Sequence, residues 1–379
     1  MVVPERVQFR PLALWTARSY RGLTISELAR RADVSRQVVS GLENGSTPAA
    51  PTTPAVRAVA FVLDFPTEFF FTEQTVPQEG ALHFRRRSDV PERAISKARA
   101  QAALFAKVTE SFRLFAQFRV KLPSAAPLND EAIEDAAEAF RRAVDLDCNS
   151  PIVSAVRAAE AAGVFVGTFD GESVRIDGFA HSGHVSQIML NRTSPWSRRR
   201  FSVMHELGHL VLHGGAPAGD RAQEKQADRF AGAVLCPRAP FWREFPRPLR
   251  KEFNWASIIA MKKRWGMSIQ ALLHRAYDLR IIDPAQYKRA FIHVTKFGWR
   301  TREPAEDEPE LPRLCARFVE ALDQRGDLPL LLNATALPQD MVDDLLGGVE
   351  WQERSQVIPM RPRAPRPADV AAESNEVDP

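Results

Sequence analysis

The residues best suited to chemistry are two histidines and a glutamate inside an apolar stretch, His-Glu-Leu-Gly-His at residues 205–209. If the stretch is helical, four residues advance it by about 6 Å and little more than one turn, so His205 and His209 share a face. Two imidazoles placed in this way can bind one metal ion, usually zinc. Glu206 projects beside them, where a carboxylate can take a proton from water. The alternative is an amphipathic core helix whose histidines happen to lie four apart.

A third ligand is available downstream. Glu224 and Asp228 lie one turn apart on the polar side of a second helical pattern, whose apolar positions are Ala227, Phe230, Ala231, Val234 and Leu235. Catalytic zinc sites commonly use two His and one Glu, which predicts Zn²⁺ bound by His205, His209 and Glu224. Asp228 can accept the N–H of a ligand histidine and orient its ring. A solvated charged face is the alternative interpretation of the two carboxylates.

These motifs together resemble the ImmA/IrrE family of zinc metallopeptidases. The resemblance rests on residues 205–209, on residues 224–231 and on Val234-Leu235-Cys236-Pro237, where Cys236 replaces the usual Met of the family. It extends from about residue 81 to residue 299. It implies a zincin fold and, as in characterised members, cleavage of a helix-turn-helix repressor.

The N-terminal residues form a separate pattern of short helices. Helical periodicity covers residues 12–20, 25–32 and 36–43, with Ser35 as a cap and Gly45 after the last helix. Two short helices joined by a tight turn are typical of a helix-turn-helix DNA reader. Residues 1–48 hold seven Arg against four acids, a net charge of +3 that suits a phosphate surface.

The same stretch resembles the XRE (phage-repressor-like) family from Leu23 to Gly45. By that resemblance Arg36, Gln37 and Ser40 face base edges, whereas Thr24, Ser35 and Asn44 lie near phosphates. Arg and Gln suit this role because their side chains match guanine and adenine edges. The family usually has Gln where Ile25 stands, so one DNA contact is in doubt. A small protein-binding module of the same fold is the alternative.

The length of 379 residues indicates two or three domains, and a composition of 45% hydrophobic and 26% charged residues indicates a soluble globular protein. We predict a mostly helical α+β fold, an N-terminal helix-turn-helix bundle followed by a zincin-like metallopeptidase domain with a small β-sheet. The predicted units are the helix-turn-helix domain at 1–75, a basic segment and connecting helix at 76–125, the metallopeptidase domain at 126–300, a small C-terminal helical unit at 301–350 and a disordered tail at 351–379.

The secondary-structure pattern is clearest between the two main domains. Periodicity predicts one long helix over residues 91–122, and the basic run at 83–99 is either a solvated face or an extension of the DNA footprint. The acidic, proline-bearing residues 304–312 are typical of a linker. Short strands are predicted before the metal-binding helix, at residues 164–168, 173–176 and 185–190.

Three further histidines lie near the motif in sequence. His213, one turn past His209, either extends the polar stripe of the helix or helps to bind a substrate oxyanion. His181 and His184 lie in the loop before the third predicted strand, on the surface or facing the cleft.

The expected location is the cytoplasm. No apolar run approaches the eighteen or so residues of a membrane helix, and the first residues lack the pattern of a signal peptide. The three scattered cysteines, Cys148, Cys236 and Cys315, are typical of reduced core residues.

The sequence therefore predicts a DNA-binding transcriptional regulator fused to a zinc-dependent metallo-endopeptidase. Its expected partners are double-stranded DNA and a protein substrate, a helix-turn-helix repressor by the family resemblance, with no membrane. Because such DNA readers usually dimerise on paired half-sites, a homodimer is also expected. Two alternatives stay open: a transcription factor whose zincin-like domain senses a ligand or partner without hydrolysis, and an antitoxin.

Overall fold

The computed structural model describes residues 8–74, 91–126, 129–169, 177–182, 184–214, 220–249 and 252–346. The predicted strand at 173–176, the arginines at 85–87 and the predicted tail at 351–379 lie outside the described residues. Within them the fold is mostly helical, as predicted, with sixteen α-helices and one three-stranded sheet. None of these helices is long and apolar enough to cross a membrane.

The N-terminal unit is a bundle of four short helices: α1 (Pro11–Tyr20), α2 (Ile25–Arg31), α3 (Arg36–Glu43) and α4 (Pro54–Leu63). Thr24 begins α2 with a capping box, in which its hydroxyl accepts the Glu27 N–H and the Glu27 carboxylate accepts the Thr24 N–H. Ser35 begins α3 by accepting the Val38 N–H. The starts of both helices are therefore fixed by local hydrogen bonds.

The connecting helix, α5 (Glu92–Ser111), ends well before the predicted limit at residue 122. A short 3₁₀ turn follows, and residues 116–126 contain no helix or strand. The turn allows Phe112 and Phe118 to pack against Phe165, with ring centroids 5.7 and 5.0 Å away. Helical periodicity could not reveal that α5 ends at Ser111, because the ring that Phe112 and Phe118 contact belongs to a strand far along the chain.

The sheet contains β1 (Phe165–Phe169), β2 (Gly178–Ser182) and β3 (Ser186–Asn191) in the order β1-β3-β2. β1 runs parallel to β3, and β2 runs antiparallel to it at the edge. β2 corrects the prediction of a loop at His181, which pairs with Gln187 inside the sheet. His184 lies exposed in the turn that follows.

The two faces of the sheet belong to different cores. Ala180, Ile188 and Leu190 pack into the core of the peptidase-like part. Phe179 and Met189 pack into a second core that also contains residues of α1, α4 and α5. The alternation follows from the strand period of two, and it places the sheet between the helix that carries His205 and His209 and the core that contains α5.

Eight helices build the peptidase-like part: α6 (Asp130–Ala143), α7 (Ala155–Ala161), α8 (Trp196–Leu212), α9 (Arg221–Leu235), α10 (Arg238–Glu244), α11 (Trp255–Trp265), α12 (Ile269–Asp278) and α13 (Pro284–Lys296). Their apolar faces share one core around Phe140, Phe230 and Trp265. A buried ion pair between Arg275 and Glu134, 2.8 Å apart, joins α12 to α6.

Residues 303–310, which we call the acidic strap, correct the prediction of a linker. Glu303 accepts the N–H groups of Ile269 and Gln270 at the start of α12, at 2.7 and 3.2 Å. Its carboxylate also lies 2.8 Å from Lys262, which is completely buried. Negative charge at a helix start and beside a buried cation is stabilising, so these residues are part of the fold.

The strap fastens two more helices in the same way. Glu306 accepts the N–H and the hydroxyl of Ser197 at the start of α8, at 2.9 and 2.8 Å, and pairs with Lys262. Glu310 accepts the Val156 N–H in the first turn of α7 and pairs with Arg200 of α8.

The last three helices are α14 (Leu314–Gln324), α15 (Leu328–Thr335) and α16 (Gln339–Leu345). Cys315, Leu331 and Val342 are buried in the same core as the N-terminal bundle and α5. The hydroxyl of Tyr20 on α1 lies 3.1 Å from a carboxylate oxygen of Asp344 on α16. The described chain therefore ends against its own first domain.

Candidate metal centre

Helix α8 holds two histidines in the interior because its apolar side is anchored in the core by Val203, Leu207 and Val211. His205 is 5% exposed and His209 is 2% exposed. Polar groups buried to this degree need partners, since an unpaired one is costly. The partners come from the neighbouring helix α9 and, for His209, also from His213 at the end of α8.

Gly208 allows α9 to approach α8 closely. A Cβ atom at Gly208 would lie 3.2 Å from the Ala227 Cα and 3.2 Å from the Phe230 ring. A larger side chain would therefore push the two helices apart. The close packing brings Glu224 and Asp228 of α9 to the histidines of α8.

His205, His209 and Glu224 bring one ligand atom each into a cluster whose members all lie within 4.8 Å of one another. The two Nε2 atoms are 3.1 Å apart, and the Glu224 oxygens lie 3.6 Å from that of His205 and 3.4 Å from that of His209. A tetrahedral ion with bonds of about 2.0–2.1 Å separates its ligand atoms by about 3.3 Å. The measured distances bracket this value, so the donor set fits a metal ion.

The remaining nitrogen of each histidine also has a partner. His205 Nδ1 lies 2.9 Å from Asp228 Oδ1. His209 Nδ1 lies 3.2 Å from His213 Nδ1, and His213 Nε2 lies 2.8 Å from the side-chain oxygen of Gln226. Such contacts hold imidazole rings in fixed orientations.

The electrostatics of the cluster favour a cation. Burial lowers the pKa of His205, but hydrogen bonds to Asp228 and Glu224 outweigh burial and raise its pKa to about 10. Burial acts to raise the pKa of Glu224, yet its bonds to both histidines hold that pKa well below the usual range. Burial lowers the pKa of His209. The cluster thus attracts positive charge, which a metal ion can supply in place of a proton.

Glu206 is 3% exposed and borders a small cleft. The cleft is lined by Asp177, Gly178, Phe201, Ser202, His205 and Glu206. A Cβ atom at Gly178 would lie 3.6 Å from the Glu206 side chain, so β2 begins beside this carboxylate. In the described part of the chain β2 pairs with β3 alone, which leaves its outer edge without a neighbouring strand.

A larger groove of about 940 Å³ lies between α12 and α13 and shares no residue with the metal cluster. Aromatic and cationic side chains line it, among them His274, Tyr287, Phe291, Lys288 and Lys296. None of its lining residues is a carboxylate, whereas Asp177 and Glu206 line the smaller cleft.

All six residues predicted to contact DNA are at least partly exposed: Thr24, Ser35, Arg36, Gln37, Ser40 and Asn44. Arg36 and Gln37 occupy the first turn of α3 with exposed side chains. The hydroxyls of Thr24 and Ser35 already accept backbone N–H groups, and Asn44 accepts the Ser46 N–H at 2.9 Å. Each hydroxyl keeps its hydrogen for a further acceptor, such as a phosphate oxygen.

Two residues of this centre have no role in the sequence prediction. Gln226 lies two residues from both Glu224 and Asp228, a spacing that places it off their face of an ideal helix. Gly178 lies between the strands predicted at 173–176 and 185–190. Their partners are distant in sequence, so only the fold reveals them.

These features define a metallopeptidase-like domain joined to a helix-turn-helix domain, which implies DNA binding. Residues 159–277 match the peptidase M78 family model, described as the IrrE N-terminal-like domain, and residues 13–68 match a helix-turn-helix domain model. The predicted layout, a helix-turn-helix domain followed by an ImmA/IrrE-like domain, is confirmed. No curated protein and no solved structure was found to match the chain.

Proposed function

We propose that the chain is a DNA-binding regulator whose second domain is a zinc-dependent metallo-endopeptidase that cleaves a repressor-type protein. The observation that carries the proposal is the ligand cluster of His205, His209 and Glu224, with separations of 3.1–3.6 Å, beside the buried carboxylate of Glu206. In this proposal the N-terminal domain belongs to the XRE family, and the domain limits are those predicted from the sequence.

Zinc is the metal that suits this donor set. Two imidazoles and one carboxylate are a common catalytic zinc set, and they leave a fourth position for substrate or water. Asp228 accepts the Nδ1 hydrogen of His205 and so directs Nε2 of that ring to the ion. When bound, the ion polarises a peptide carbonyl and lowers the pKa of a water molecule.

Glu206 acts as the general base. Its carboxylate takes a proton from the attacking water and then delivers it to the leaving amine nitrogen. Glu206 borders the cleft without belonging to the ligand cluster, which separates its role from that of Glu224.

The outer edge of β2 is suited to hold the substrate. An extended peptide can add to the edge strand of a sheet through backbone hydrogen bonds. Because Gly178 lines the cleft together with Glu206, a peptide on this edge would pass the carboxylate. A substrate bound in this way must present an extended segment.

The N-terminal domain binds duplex DNA through α3 in this proposal. Arg36 and Gln37 reach base edges together with Ser40, while Thr24, Ser35 and Asn44 lie near phosphates. Two copies of the chain would bind paired half-sites as a homodimer.

The decisive experiment combines pure, zinc-loaded protein with helix-turn-helix repressors encoded in the same genome. Fragments should appear with the wild type and not with Glu206→Gln. If no repressor is cut by the wild type under conditions where it retains zinc, repressor cleavage is excluded.

A second function is favoured by one core, which contains residues of the N-terminal bundle, of α5 and of the face of the sheet that carries Phe179 and Met189. A change at the metal domain could reach the DNA reader through Phe179 and Met189, which are buried in that core. In this alternative the domain senses a ligand or partner and hydrolyses nothing. Normal promoter control in cells that carry Glu206→Gln would support it.

A further inference from the structure

A hydrogen-bonded series of three polar side chains leads away from the metal cluster. It starts at His209, passes through His213 at the end of α8, and ends at Gln226 on α9, with contacts of 3.2 and 2.8 Å. His209 is 2% exposed and His213 is 9% exposed, so water has little access to the two rings, while Gln226 is half-buried.

We infer that His213 is a positioning residue for His209: with Gln226 it keeps the hydrogen of His209 on Nδ1, which leaves Nε2 of His209 to face the metal. This inference rests on the proposed metal site. It adds His213 and Gln226 to the residues that shape that site.

The positions of the hydrogens follow from how many hydrogens each group carries. A neutral imidazole has one N–H, so if Nε2 of His209 faces a cation, its hydrogen is on Nδ1. Nδ1 of His213 must then accept that hydrogen, which places the hydrogen of His213 on Nε2. That nitrogen lies 2.8 Å from the Gln226 oxygen, which can only accept. Each of the two ring N–H groups therefore meets an acceptor, and both point away from the metal site.

The two ligand histidines are thus oriented by different chemistry. His205 donates to the carboxylate of Asp228, whereas His209 donates to a neutral ring backed by an amide. Three carboxylates, those of Glu206, Glu224 and Asp228, already surround the two histidines. A neutral partner orients His209 without adding a fourth negative charge.

Zinc affinity, measured by competition with a chelator, tests the role of His213. His213→Phe keeps a ring of similar shape but removes the acceptor, so affinity should fall about 10–100-fold, the usual loss when such a partner is removed. His213→Gln should recover most of that loss, because its amide oxygen can accept the same hydrogen. Equal affinity of folded His213→Phe and wild type would overturn the inference.

Gln226→Leu removes the last acceptor of the hydrogen-bonded series and keeps both histidine rings in place. It should weaken zinc binding less than His213→Phe, because Nδ1 of His213 can still accept while the hydrogen of His213 stays on Nε2, although no acceptor then holds it there. Gln223→Leu is the matched control on the same helix, since Gln223 makes no bond to His213, and it should bind zinc as the wild type does. Equal zinc affinities of Gln226→Leu and Gln223→Leu would contradict the role of Gln226. If His213→Phe does not fold, the comparison of these two variants decides whether the inference holds.

Nitrogen-15 NMR of the zinc-loaded wild type reads the positions of the hydrogens directly. The inference requires the hydrogen of His209 on Nδ1 and that of His213 on Nε2. A hydrogen on Nδ1 of His213 would refute it even if zinc binds normally. Failure of the wild type to bind zinc at all would instead remove the proposed metal site.

Discussion

The Nδ1 atom of His205 lies 2.9 Å from Oδ1 of Asp228, and Asp228 follows Glu224 by one turn on α9. One helix therefore supplies both the third ligand of the proposed site and the group that orients the first. The arrangement depends on the close approach of α8 and α9 at Gly208. Metal binding and the packing of these two helices are thus linked.

Asp228→Asn should weaken zinc retention about 10–100-fold. The amide oxygen can still accept the hydrogen of His205, but the negative charge that strengthens the ligand is lost. Chelator competition measures the effect. Asp135→Asn on the surface of α6 is the control, and its zinc affinity should equal that of the wild type.

Purified protein should contain one zinc ion per chain, and the double variant His205→Ala, His209→Ala should contain none. The reason is that the proposed site would keep only Glu224 of its three ligands. Metal analysis after dialysis measures the content. Equal zinc in the two proteins would show that the ion binds elsewhere.

Glu206→Gln should retain zinc and DNA binding but lose peptide cleavage by about 10²–10⁴-fold, the usual loss for a general base. Gln has nearly the same size and lacks the basic carboxylate. Cleavage of a fluorogenic peptide derived from the identified substrate gives the rate. Unchanged cleavage would remove Glu206 from the mechanism.

Arg36→Ala should relax sequence preference and cost about 1–3 kcal/mol of binding free energy if Arg36 contacts a guanine. Arg57→Ala on the exposed side of α4 removes the same charge away from α3 and should leave the sequence preference unchanged. Binding of both variants to genomic fragments at a fixed, moderate salt concentration makes the comparison. If the two variants have the same affinity as each other for every fragment, Arg36 does not contact bases.

Glu306→Gln should lower the free energy of unfolding at pH 7 by about 1–3 kcal/mol. The substitution weakens the ion pair with the buried Lys262 and the hydrogen bond from the Ser197 N–H at the start of α8. Burial acts to raise the pKa of Glu306, but bonds from Lys262 and Ser197 outweigh it and lower that pKa. A lowered pKa stabilises the fold above the unfolded value of about 4.3, and the stabilisation disappears as the pH falls through the folded pKa.

Thermal unfolding between pH 7 and pH 3 checks this dependence. The difference in Tm between the wild type and Glu306→Gln should be largest at neutral pH and close to zero at the acidic end. Glu308→Gln changes the same strap at an exposed position and should match the wild type throughout. A difference that is constant with pH would show that the charge of Glu306 is not its source.

The parts predicted correctly from the sequence depend on local spacing. Helices α1 to α4 follow from periodicity and from caps such as Thr24 and Ser35, and the four-residue spacing of His205 and His209 implies a shared face. Periodicity cannot show which distant segments meet. For that reason β2, the end of α5 and the partners of Glu306 escape prediction, since each depends on a contact with residues far along the chain.

The hydrogen bond between Tyr20 and Asp344 joins residues near opposite ends of the described chain. During synthesis α1 to α5 leave the ribosome long before Cys315, Leu331 and Val342, with which they share a core. The first domain made is therefore among the last to be completed. Until α14 to α16 emerge, α5 exposes apolar surface that the finished protein buries, and a chain cut short by premature termination would keep that surface exposed.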